Sequence, residues 1–363
     1  MRIATGLATG TAATALLASQ AVQNALDKLD TGRANSVLLF LTEAFASNPE
    51  AAIKAAAKTA STMQIIGCSA PGIFTDEDWV IDGAAVAAMV FTGETSLEAA
   101  TPNHPQADLL LTLAAPNAIN ATWLATEIQK FGGVSGDATG QGPFSVWQNG
   151  KGSTQGLCEI VLHNVRGAVA PSHGLNLISS PRRVTHINGY DINTIAETPA
   201  LQSLQAAWDK VRKQPSPIPY HQVMAVYADK AASIERGEYR PCPIISGNET
   251  EQSVTLASQL TEGQWLSWAV RDKDSAQLDI VKTASQLKQQ LGRVPDFALF
   301  FSCLGRGPYF YDGLDQDLAL LKTLFPKLPI IGFYGNGEIA PIHGHNTLLD
   351  YSAVLGLFTC DAP

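Results

Sequence analysis

The side chains with the clearest chemical potential gather in the last quarter of the sequence. Ser302, Cys303 and Arg306 follow the apolar run Phe297-Ala298-Leu299-Phe300-Phe301, and Tyr334, Asn336 and Glu338 are interleaved with Gly335 and Gly337 further on. Glycines on both sides of Arg306 permit close backbone approach, and a guanidinium offers a planar fork of donors for a carboxylate or phosphate. Glu338 can receive an ammonium group, so the two together suit a small zwitterion. Two structural readings stand beside this one: Arg306 pairs with a local carboxylate, or Arg306 and Glu338 pair with each other. Cys303, close in sequence to that cation, has the setting of a lowered thiol pKa. With Cys68, His343 and His345 it allows a cysteine hydrolase, although free cysteines more often serve as small buried hydrophobes. His343 and His345 have no third ligand at a sensible spacing, so no metal site is expected. Ser135 and Asp137, in Gly-Val-Ser-Gly-Asp, read first as turn chemistry and second as polar ligand contacts.

Composition narrows the partners. The chain has 363 residues, 45% hydrophobic and 16% charged, the balance of a core-rich globular protein of two domains or two pseudo-equivalent halves. A net charge of −9, with no basic run, argues against nucleic acid and against an anionic membrane surface. Five scattered cysteines without a CxxC pair fit a reducing compartment, and the expected localisation is cytoplasmic. The Ala-rich start resembles a leader peptide, but its threonines interrupt any apolar stretch, and 12–29 reads as an amphipathic helix. Neither a dinucleotide fingerprint nor a P-loop is present, so no cofactor is expected.

The elements that must position these residues repeat. Val37–Phe40 reads as a buried strand, 48–62 as a helix with Pro49 in its first turn, Gln64–Ile73 as a strand ending in a glycine-bounded turn, and Ala84–Phe91 as a closing strand. The order returns in 297–301, 313–325, 328–339 and 351–358. In both places Ile-Ile-Gly is followed five residues later by a second glycine, Gly67 to Gly72 and Gly332 to Gly337. A weaker copy lies between them: a strand at 108–113, a helix at 118–130, a turn at 131–137, and strands near 143–148 and 156–165. Alternation of this kind predicts an α/β (mixed α+β) fold, mixed sheets flanked by helices, possibly in αββα layers. The Pro-rich stretch 214–219 is the natural boundary, giving domains 1–214 and 215–363. Trp265 and Trp268 read as core of the second half. A pocket is expected at the strand ends and the junction of the halves.

The segment Ile65-Ile66-Gly67-Cys68-Ser69-Ala70-Pro71-Gly72-Ile73 resembles the N-terminal FIST domain. Phe300–Gly307 together with Ile331–Ile339 resembles the C-terminal FIST domain closely, and the likeness runs from about residue 3 to 359. The resemblance implies a sensory module binding a small ligand, amino-acid-like or another small carboxylate, in signal transduction. Family members of this kind occur alone, joined to signalling domains, or joined to an F-box. No such output segment is read here, so a signalling partner would act in trans. The implied ligand residues are Arg306, Glu338, Asn336, Tyr334, Cys303, Ser302, Cys68 and Ser69, with Gly67, Gly72, Gly332 and Gly337 structural. A ligand-free protein–protein scaffold and the cysteine hydrolase remain the rival readings.

Overall fold

The computed structural model describes residues 2–100, 108–136, 142–212 and 216–360. Packing divides the chain into two units, Met1–Ser172 with Ile280–Pro363, and His173–Asp279. The first unit runs three times through one series of elements: an edge strand, a first core strand, a 3₁₀ turn, a second core strand, a short hairpin and a closing strand.

Copy one comprises Ile3–Gly10, Ser36–Thr42, Glu43–Phe45, Ile65–Ala70, the hairpin Gly72–Thr75 and Trp79–Ile81, and Ala84–Phe91. Copy two comprises Ser96–Ala99, Leu109–Ala114, Pro116–Ala118, Gln129–Val134, the hairpin Val146–Gln148 and Lys151–Gly152, and Leu157–His163. Copy three comprises Val165–Ser172, Phe297–Cys303, Leu304–Arg306, Ile330–Gly335, the hairpin Glu338–Ile342 and His345–Leu349, and Ala353–Cys360. The second unit is inserted in copy three, after its edge strand. Copy two, the faint one in the sequence, is complete as a sheet.

Each copy builds a six-stranded sheet but does not finish it alone. Its two core strands pair in parallel, the closing strand joins antiparallel, and the hairpin leaves for another sheet. Copy one's hairpin pairs with copy three's second core strand, copy three's with copy two's, and copy two's with copy one's. The exchange closes a cycle, and it covers a parallel-strand edge that would otherwise be left unpaired. The inner faces of all three sheets share one core, where Phe40 packs edge-on against Phe301 and Phe333 at centroid distances of 6.4 and 5.0 Å. The parallel core strands are buried on both faces, which is why they read as unbroken apolar runs in the sequence.

Three glycines fix this geometry. A Cβ on Gly67, Gly132 or Gly332 would stand 1.7, 1.9 or 1.6 Å from the carbonyl oxygen of Leu39, Thr112 or Phe300 on the adjoining core strand. Their correspondence sets the register of the three copies, and the turns at 67–72 and 332–337 occupy related positions as expected.

Outside this core, the helices Ala15–Leu29 and Pro49–Ala60 cover copy one's sheet. Copy three's sheet is covered by Gln316–Leu324 and by Ile280, Ala284, Leu287 and Leu291 of the helix Lys273–Leu291. The mixed α/β class with helix-flanked mixed sheets is therefore met. Copy two differs from expectation: the helix read over 118–130 is a single turn, Ala121–Leu124, and the strand begins at Gln129. The Asn346 side chain donates to the Leu124, Thr126 and Ile128 carbonyls and accepts from the Lys130 amide, engaging main-chain groups that a longer helix would use.

In the second unit six antiparallel strands close on themselves: Arg182–Asn188, Asp191–Ile195, Ser253–Leu256, Arg240–Asn248, Val223–Ala228 and Trp265–Arg271. Helix Ala200–Arg212 buries Leu201, Leu204 and Trp208 against them. Trp268 is core here and donates to Ser203 Oγ, while Trp265 is half-buried with Arg183 stacked over it. Residues 216–219 of the Pro-rich stretch belong to this unit, and 213–215 lie outside the described residues. Among the described residues no helix is long and apolar enough to cross a membrane.

Candidate functional site

Open parallel sheets bind ligands beyond the carboxyl ends of their strands, and the first unit has three such ends. At each, the first core strand runs into a 3₁₀ turn: Glu43–Phe45, Pro116–Ala118 and Leu304–Arg306. The third residue of the turn decides what the end becomes. Phe45 is buried in the apolar layer under copy one's helices, Arg306 is buried in a polar network, and Ala118 is too short to cover anything.

In copy three the Arg306 guanidinium, 2% exposed, meets Asp317 at 2.8 Å through Nε. Nη1 donates to the Ser172 carbonyl and Nη2 to Ser172 Oγ at 2.9 Å. Tyr311 donates its hydroxyl to Asp317 at 2.8 Å, and Tyr334 donates to Asp315, whose other oxygen caps the helix at the Leu318 amide. Burial, reinforced by the charge on Asp317, raises the Asp315 carboxyl to about 6. The carboxylate that Arg306 meets is thus Asp317; it pairs neither with Glu338 nor, with its donors so engaged, with an open cleft.

Glu338 begins the exchanged hairpin and points along the same face as Ala340 and Ile342, into the central core. It pairs with Gly133, whereas Ile73 and Val146 pair with the matching Phe333 and Cys68. The threefold position is thus occupied by Ile, Val and Glu. Glu338 is fully buried and neither of its carboxyl oxygens has a hydrogen-bond partner. Desolvation raises its pKa well above the usual range and Asp350 adds to this, against a smaller opposite pull from Arg306. The Ser352 amide also favours the charged form, without reaching hydrogen-bonding geometry.

Cys303 lies beside Glu338, and its thiol is pushed up to about 12 by burial first and by the Glu338 charge second. Cys68, fully buried, is likewise raised, by desolvation and then by Cys158. Both sulfurs are thiols at neutral pH, the reverse of an activated nucleophile. His343 and His345 are exposed at the tip of copy three's hairpin. Ser302 is buried and its hydroxyl turns back on the Cys303 carbonyl at 3.5 Å. Among the described residues no group of three His, Cys, Asp or Glu side chains is placed to hold a metal.

Where the three second core strands converge, main-chain bonds interlock them. Gly136 donates to the Ser69 carbonyl at 3.0 Å and Asn336 to that of Val134 at 3.0 Å; the corresponding residue in copy one is Pro71, which has no N–H to give. The Asn336 side chain reaches the Ser135 carbonyl at 3.4 Å, and Ser135 Oγ lies 3.1 Å from the Ala114 carbonyl, to which it donates, and 3.2 Å from Ser145 Oγ. The sequence-predicted Ser69 and Asn336 are thereby brought to one place with Ser135. Asp137 lies outside the described residues.

Beside this apex, at the strand end of copy two, is a cavity of about 390 Å³. Ala115–Ala118, Gly136, Ser145 and Ser153–Gly156 are among its lining residues, with Gly156 accepting from the Ala115 amide at 2.7 Å. None of its described lining side chains is charged; Asn117, Ser145, Ser153, Thr154 and Gln155 supply amide and hydroxyl groups. The sequence reading missed these residues. Their signal was present in the Gly- and Gln-rich stretch 138–156 and in the placement of Ala115–Ala118 after a buried strand, the position that Cys303–Arg306 holds in copy three.

A threefold-repeated mixed α/β unit, with a small polar cavity at one strand end and a barrel inserted in its third copy, defines the architecture. The chain matches the FIST N domain over residues 35–197 and the FIST C domain over 200–341, and it belongs to the FIST family, a family of sensory domains. It is similar to an uncharacterized protein of Mycobacterium bovis, 26% identical over 232 residues, 63% of this chain and 60% of the relative. An uncharacterized protein of Mycobacterium tuberculosis is 24% identical over 229 residues, 62% of this chain and 60% of the relative. The match therefore spans about three fifths of these relatives' length.

Proposed function

We propose that this chain is a cytoplasmic sensory protein that holds a small polar molecule, of amino-acid size, in the cavity of copy two and reports it to a signalling protein in trans. One observation carries the reading: the same strand-end position is closed by Phe45 in copy one and by the Arg306 network in copy three, but left open over polar groups in copy two. Packing tends to eliminate voids that serve nothing, because unfilled space forfeits contacts. The lining offers amide and hydroxyl partners and, among the described residues, no charged side chain. It suits a neutral ligand, or a zwitterion or small carboxylate met by peptide groups. Five buried cysteines, none of them in a disulfide, accord with a reducing compartment. Thiols held protonated speak for binding over cysteine catalysis.

The test is thermal unfolding against amino acids, dicarboxylates and nucleotides at millimolar concentration. Binding at a hundred times Kd adds about 2.7 kcal/mol, a shift of several degrees. A shift confined to one chemical class supports the sensor. Absence of any shift transfers the weight to a protein-interaction scaffold.

A further inference from the structure

We infer that the second unit carries a binding site of its own for a small, doubly charged oxyanion of phosphate type, with Arg182 and Lys210 as its cationic donors. A cavity of about 230 Å³ is lined there by the helix Ala200–Arg212 and by residues of the strands, all of them within this unit. Strand register sets Arg182 on the cavity's side. Residues directly opposite across antiparallel strands share a face, and Arg182 stands opposite Leu266 while Arg183 stands opposite Trp265. Leu266 and Trp268, each 1% exposed, belong to the barrel core, and both line the cavity with Arg182. Arg183 falls on the other face, stacked over Trp265.

The helix supplies the rest through its period. Ser203, Ala206, Ala207 and Lys210 recur at three- and four-residue spacing, which sets them on one face, and all four line the cavity. The two alanines leave space between a hydroxyl and an ammonium group. Ser203 Oγ accepts from Trp268 Nε1 at 3.1 Å, so its own hydrogen is left to donate. Thr198 adds a further hydroxyl to the lining. No Asp or Glu is among the lining residues, although the chain holds 33 acidic residues against 24 basic. Among the described residues Arg182 and Lys210 have no ion pair, and Asp209, next to Lys210, is engaged by Gln205 Nε2 at 2.7 Å. Two uncompensated cations beside hydroxyl donors choose an anion, and their combined charge matches a dianion better than a monocarboxylate. The donors come from strands and a helix, which oxygens pointing in several directions can meet and the two coplanar oxygens of one carboxylate cannot. Both cations are exposed, so the ligand reaches them from solvent. The lining shares no residue with the cavity of copy two, and either site can fail without the other.

The experiment is thermal unfolding of the full chain with sodium phosphate, sulfate, acetate or chloride at matched ionic strength. Concentrations stay in the low millimolar range, because phosphate and sulfate at high concentration stabilise proteins generally. Wild type is expected to gain several degrees with phosphate and nothing beyond chloride with acetate. A matching gain with sulfate identifies a site for tetrahedral dianions as a class, and a gain with phosphate alone identifies one selective for the phosphoryl group. Arg182→Gln and Lys210→Gln should each need about tenfold more phosphate for the same shift. Arg183→Gln removes the same charge from the opposite face and should respond as wild type. No shift in wild type beyond chloride, an equal shift with acetate, an unchanged response in Arg182→Gln and Lys210→Gln, or an equal loss in Arg183→Gln would overturn the proposal. Should Arg182→Gln fail to fold, Lys210→Gln, at an exposed position, decides alone.

Discussion

Copies two and three present the same strand end in opposite conditions. In copy three the 3₁₀ turn contributes Arg306, and Asp317, Ser172 and Tyr311 close around it until the guanidinium is 2% exposed. In copy two the matching residue is Ala118, and about 390 Å³ stay open beside uncharged polar groups. Arg306, the clearest ligand candidate in the sequence, is therefore engaged within the fold, and the plainest stretch encloses the candidate ligand site. A charged residue after a buried strand is ambiguous until its partner is known. An open position in a repeated fold is informative because the other copies show how it can be filled.

Removing the closure of copy three should have the largest effect. Arg306→Ala strands Asp317 without its cation at 1% side-chain exposure, and a loss of about 3–5 kcal/mol is expected in urea unfolding. A loss below about 1 kcal/mol would mean the network is not what seals that end. A change of opposite sign should follow from making copy three resemble copy one. Glu338→Ile is expected to stabilise by about 1–3 kcal/mol, because it removes an unpaired buried carboxyl at a site that already accepts isoleucine. The pH dependence sharpens this. The Glu338 pKa is raised in the fold, so the native state holds a proton that the unfolded chain releases near the usual value of about 4.3. Wild-type stability attributable to this group is greatest below that pH and falls as pH rises toward the folded pKa. Unfolding curves for Glu338→Ile should lack that component of the fall. The smallest change in stability, within about 1.5 kcal/mol, is expected for Ala118→Phe, which gives copy two the turn residue of copy one where space is available.

Much of the fold was legible because it is written in local pattern. The continuous runs around Phe40 and Phe300 read as buried strands, and the spacing Gly67–Gly72 repeats as Gly332–Gly337. Gly132 is the third member of the set, but Phe131-Gly132-Gly133 lacks the Ile-Ile signature and hid the full repeat. What escaped depends on distant partners. Ile119, Trp123 and Leu124 have helical spacing, yet Asn346, more than 200 residues away, takes up the main-chain groups of 124–130 that a longer helix would use. Hairpin exchange joins residues such as Ile73 and Phe333, which no local window connects. At the site, Cys303, Arg306 and Glu338 were visible as residue types, while the engagement of Arg306 was not, because Ser172 lies 134 positions upstream.

The measurement that tests the central claim most directly is the thermal-shift panel run on wild type and Ala118→Phe side by side. The account predicts a rise of several degrees in wild type with one class of small polar ligand. In Ala118→Phe that rise should be lost, while the variant unfolds cooperatively within a few degrees of wild type. A rise retained in full by Ala118→Phe would contradict the placement of the ligand in copy two, and a panel that moves neither protein would contradict the sensor itself.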